Sequence, residues 1–144
     1  MTEEFPPPLP PLFYLGLDQF NSGDYFVCHE TLEGLWRREP GVVRQLYQGT
    51  IQIAVGCFHL VERANWVGAV RKLDEGARRI ERTLPLLPVL AAGYGVDWPA
   101  LIAGADKLQV HLREIGPQNI RDFDREMLPR VRYKKPGVRN LRQV

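Results

Sequence analysis

Val42-Val43-Arg44-Gln45-Leu46-Tyr47-Gln48-Gly49-Thr50-Ile51-Gln52-Ile53-Ala54-Val55-Gly56-Cys57-Phe58-His59-Leu60-Val61-Glu62-Arg63 reads as a central helix. Ile51, Ile53, Ala54, Val55, Phe58, Leu60 and Val61 point in nearly all directions, as they must on a helix surrounded by others. The exceptions are ordered. Gln48, Gln52 and His59 fall within about 40° of each other at 100° per residue, so the polar groups form one stripe. Gly49 and Gly56 let a neighbouring helix approach closely, although each costs roughly 1 kcal/mol against alanine.

Immediately before it stands His29-Glu30-Thr31-Leu32-Glu33-Gly34-Leu35-Trp36. On a helix Glu33 lies about 40° and Trp36 about 20° from His29, which aligns an imidazole, a carboxylate and an indole. Asp24 reads as the N-cap of this motif helix, which runs to about Arg38 and stops at Pro40-Gly41. If the two helices form an antiparallel hairpin, residues at equal height have numbers summing to roughly 81. His29 then faces Gln52, Glu33 faces Gln48, and His59 sits about 10 Å along the axis from His29.

Two readings of this constellation compete. In the first, amides, imidazole and carboxylate satisfy one another between the helices and fix their register. In the second, His29 and Glu33 are metal ligands, Glu30 is a general base, and Tyr25, Trp36, Gln48, Gln52 and His59 line the site. A divalent cation would then be the cofactor, with His59, Glu62 or His111 as the source of a third ligand. Tyr25 and Trp36 also fit simply as core aromatics beside Phe26 and Leu32.

Outward from the hairpin the remaining segments are helical too. Five prolines in Pro6–Pro11 make an extended arm over residues 1–11. A short helix spans Leu12 to Asn21, ended by Asn21-Ser22-Gly23. Asn65 caps a fourth helix with Val70, Leu73, Ala77, Ile80 and Leu84 on its apolar face, and Arg71, Lys72, Glu75, Arg78, Arg79 and Arg82 read as its solvated face. Pro85 and Pro88 interrupt it. Asp97-Trp98-Pro99 starts a fifth, with Leu101, Ala105, Leu108 and Leu112 inward. Nothing alternates with period two. The expected fold is an all-α, single-domain antiparallel bundle of about five helices over residues 12–129.

With 144 residues, 44% hydrophobic and 25% charged, the chain has the composition of an ordinary globular domain. No apolar run approaches a membrane span and the first residues carry no basic leader, so a cytoplasmic protein without a membrane partner is expected. Cys28 and Cys57 read as buried thiols in reducing surroundings, with a redox pair as the alternative. The net charge of +2 conceals an asymmetry: Arg130, Arg132, Lys134, Lys135, Arg139 and Arg142 follow the last acid, leaving thirteen cations against seventeen acids before them. Residues 130–144 are thus a basic tail, expected to be mobile or to dock on an acidic surface.

The pattern His29, Glu33, Trp36 resembles the hallmark of DUF309, a family of small bacterial and archaeal proteins of unknown function. Phe20-Asn21-Ser22-Gly23-Asp24-Tyr25-Phe26, Gln48-Gly49-Thr50-Ile51-Gln52-Ile53-Ala54, His59 and Gly68-Ala69 are similar to the rest of its pattern, over about residues 20–84. The resemblance implies an all-helical fold and metal binding through His29 and Glu33. Gly34 and Thr50 depart from it.

Three functions follow: a metal-dependent hydrolase using His29, Glu33 and Glu30, which needs an open cavity beside Trp36; a binding module whose polar stripes hold the fold; and nucleic-acid association through the tail, where Tyr133 stands among cations. Homo-oligomerisation is compatible with all three. No phosphate-binding glycine loop, zinc-knuckle cysteines or nucleophilic serine motif points elsewhere.

Overall fold

The computed structural model describes residues 9–87 and 93–134. Among them are five α-helices: α1 Pro11–Asn21, α2 Tyr25–Arg38, α3 Val43–Arg63, α4 Trp66–Thr83 and α5 Trp98–Ile115. Three short 3-10 turns, Leu84–Leu86, Pro117–Asp122 and Arg125–Met127, complete the described elements. The fold is the expected all-α bundle.

The helix boundaries follow from local chemistry. Asn65 accepts from the Gly68 N–H and Asp97 from the Ala100 N–H, so two orphan donors are satisfied at the starts of α4 and α5. Asp24 occupies the N-cap of α2, yet its side chain makes no capping bond. Between α1 and α2 the chain turns at Gly23, whose φ of 82° is open to glycine at little cost. α4 gives way to a 3-10 turn at Pro85, and Pro88 lies outside the described residues.

Each helix packs antiparallel on the next. Phe20 meets Tyr25 and Gly16 meets Leu32 between α1 and α2. Phe26 meets Phe58 and Trp36 meets Arg44 between α2 and α3, which puts equal heights at numbers summing to roughly 81. Gly49 lies against Gly76 and Ile80, and Gly56 against Leu73, between α3 and α4. Trp66 and Arg78 reach Leu112 and Asp106 of α5. The core they enclose includes Phe13, Leu17, Phe20, Leu32, Leu46, Tyr47, Ile53, Leu73, Ile80, Trp98, Leu101 and Leu108. Burial of this apolar surface is what holds the helices together, since single helices of this length are marginal in water. Cys28 and Cys57 belong to that core, and burial pushes both thiols up to about 12, so they stay protonated.

One surface assignment is corrected. α4 does not turn its charged face simply to solvent: Arg79 donates to Gln52 and Gln45 of α3, and Arg78 joins Asp74, Glu81 and Asp106. Glycines on α3 and α4 bring those two backbones together, so Arg79 falls within reach of α3. The start of the basic tail packs as well. Asn21 donates to the Val131 carbonyl and accepts from the Val131 N–H, both at 2.8 Å, and Val96 bridges Tyr133 in antiparallel fashion. The Tyr133 hydroxyl donates to Asp18. Val131 is buried, which gives this segment an apolar anchor between its cations. Lys135, Arg139 and Arg142 lie outside the described residues.

Candidate functional site

On α2 the imidazole and carboxylate meet as the spacing requires. His29 Nε2 stands 3.3 Å from Glu33 Oε1, and Arg37 Nη2 donates to Glu33 Oε2 at 3.3 Å. The His29 and Glu33 side chains are 30% and 33% exposed, so the pair sits at the margin of α2, open to solvent. Arg37 is the member that the sequence reading passed over; its position four residues after Glu33 is a helix ion-pair spacing that could have revealed it.

Gln52 is turned away from His29. Gln52, expected opposite His29, is buried against α4, with Arg79 donating to its Oε1 at 3.0 Å and its amide donating to Glu75 at 3.5 Å. Gln48 is half-buried on α3. The hairpin heights are as expected, but α3 is rotated so that Gln45 and Gln52 serve the α4 interface. Close packing through Gly49 and Gly76 determines that rotation.

The aromatic members hold structure. Tyr25 is in the core, where its hydroxyl is hydrogen-bonded with the Cys57 thiol and burial raises its pKa. Trp36 is half-buried under Arg44, whose guanidinium lies 3.9 Å from the ring and whose Nε donates to the Trp36 carbonyl. That contact ties the end of α2 to the start of α3, a cation–π geometry combined with a helix-end hydrogen bond.

His59 lies beside Phe58 on α3, its ring centroid 6.4 Å from that of Phe58 and its Cδ2 against Gly68 of α4. Its Nδ1 is buried without a hydrogen-bond partner, and burial, helped by Arg63 and Lys72, lowers its pKa. Between the two histidines stand Phe26 and Phe58, 5.9 Å apart, with Phe26 53% exposed. The Phe26 ring is 6.0 Å from that of His29. This exposed aromatic was missed because Phe26 reads by composition as core.

Glu30 is exposed, about 100° around α2 from His29. Glu62 is exposed at the end of α3, and His111 accepts from the Asp124 N–H on α5. Among the described residues no three His, Cys, Asp or Glu side chains gather as a ligand group. An open cavity of about 370 Å³ lies between the start of α1 and the end of α2, lined by Leu12, Leu35, Arg38, Glu39 and Tyr47 among others. His29, Glu30, Glu33 and Trp36 do not line it. No described helix is long and apolar enough to cross a membrane.

Residues 13–72, from α1 into α4, match the family model of a domain of unknown function, DUF309. The likeness read from the motif is thereby shown over these residues. An uncharacterised protein of Bacillus subtilis (strain 168), YpuF, is 41% identical over 59 residues. That stretch covers 40% of this chain and 33% of the relative, so the chain spans about a third of the length of the curated protein it matches. No solved structure matches.

Proposed function

We propose that the DUF309 segment of this chain is a binding module that takes a divalent transition-metal cation on α2, with His29 Nε2 and Glu33 Oε1 as its two protein donors. The observation that carries the reading is their separation of 3.3 Å on a solvent-open helix margin. Two donors bonded to one cation at about 2.0–2.2 Å and near the tetrahedral angle stand roughly 3.4 Å apart. A cation can therefore replace the ion pair with little side-chain movement. Arg37, on the second oxygen of Glu33, would keep the carboxylate oriented, as outer partners of metal ligands do.

Binding is favoured over hydrolysis by what surrounds the pair. A general base must reach the bound water, and Glu30 lies on a different side of the helix. The cavity at the end of α2 supplies no substrate room beside His29.

Calorimetric titration of the untagged chain with Zn²⁺ tests the reading. Uptake is expected in the parent and its loss in both His29→Ala and Glu33→Gln. No uptake, or equal uptake by the variants, would overturn it.

A further inference from the structure

We infer that the cation site on α2 is completed by a second copy of this chain, the two copies related by a two-fold axis through the cation. The inference rests on the two-donor reading above. A tetrahedral centre takes four ligands, and one α2 supplies two. Among the described residues no further His, Cys, Asp or Glu joins His29 and Glu33. A two-fold operation presents the same two side chains again, and an isologous contact needs nothing but the patch itself.

The surroundings of the pair suit such a contact. The donors are about one-third exposed on the outward margin of α2, so a second helix can reach the cation. Phe26, one turn before His29, is 53% exposed and rests on Phe58 of α3. It offers the contact an apolar flank that the bundle of a single copy leaves uncovered. Glu33 brings a carboxylate from each copy to the same place, and like charges across a contact are unfavourable. The cation offsets that repulsion, so association depends on it.

Analytical ultracentrifugation of the untagged full chain, with and without Zn²⁺, reads both stoichiometry and mass. The expected result is a 16.5-kDa species that doubles in mass on addition of one cation per two chains. Glu33→Gln and His29→Gln, each checked for helix content by circular dichroism, are expected to remain at the single-chain mass. Phe26→Ser keeps both donors and is expected to weaken Zn²⁺-driven association at least tenfold. One cation bound per single chain would overturn the second-copy inference while leaving the two-donor reading intact. Absence of uptake would overturn both. A dimer that forms equally well without Zn²⁺, or in Glu33→Gln, would also overturn the inference.

Discussion

Gly49 and Gly76 stand so close across the α3–α4 contact that a Cβ built on Gly76 would lie 2.5 Å from the Gly49 carbonyl oxygen. The obstacle is backbone, which cannot rotate away as a side chain can. Overpacking of this kind costs about 1–3 kcal/mol, against roughly 1 kcal/mol gained by alanine in a helix. Gly76→Ala is therefore expected to lower the unfolding free energy, read as a lower urea midpoint at unchanged slope. An unchanged or higher midpoint would mean that the two helices separate readily.

Arg79 carries the polar half of the same contact, donating to Gln52 at 3.0 Å and to Gln45 at 2.6 Å. Arg79→Met leaves the buried Gln52 acceptor without that donor, and an unsatisfied buried group costs about 1–3 kcal/mol. Adding Gln52→Leu removes the orphan and is expected to recover most of the loss. Additive losses in the double variant, measured by denaturant unfolding, would contradict the pairing.

The helices and their order were legible because the apolar periodicities, caps and proline breaks all agree on the same elements. The register of α2 on α3 was legible from the short turn at Pro40-Gly41. What the sequence left undecided is rotation: Gln52 lies about 40° from Gln48 on α3, close enough to read as one stripe, yet far enough for Gln52 to be claimed by α4. Gly49 and Gly56 announced a close neighbour without saying that it would be α4 rather than α2. On α2 the reading of His29 with Glu33 needed only one helix, and their meeting follows from the four-residue spacing. Phe26 escaped notice because exposure depends on which neighbours are absent. Gly34 has open space around its Cβ position, so no contact within the described residues explains it.

One amide takes part in docking the C-terminal segment, beside the Val96–Tyr133 bridge and the Tyr133 bond to Asp18. Asn21 pairs with both the N–H and the carbonyl of Val131, as a neighbouring strand would. Asn21→Ala would leave both backbone groups without these partners and is expected to cost about 1–3 kcal/mol if they stay buried. Release of the segment would instead raise amide exchange at Val131 and Tyr133 with a smaller loss. Unchanged stability together with unchanged exchange would show that Val131 and Tyr133 anchor the segment without Asn21.

His59 makes stability depend on pH, and the sign follows from its surroundings. Burial lowers its pKa first, and Arg63 and Lys72 lower it further, while its buried Nδ1 has no partner to reward protonation. The folded chain thus holds this imidazole neutral at pH values where the unfolded chain, with a pKa near 6.5, binds a proton. The unfolded state binding more protons means that stability rises with pH through that window. The contribution is fully present above the unfolded value and is lost as pH falls through the lowered folded one. Urea unfolding at about pH 5 and about pH 7.5 should show a smaller difference in His59→Gln than in the parent. An equal difference would mean that His59 meets no more resistance to protonation in the fold than in the unfolded chain.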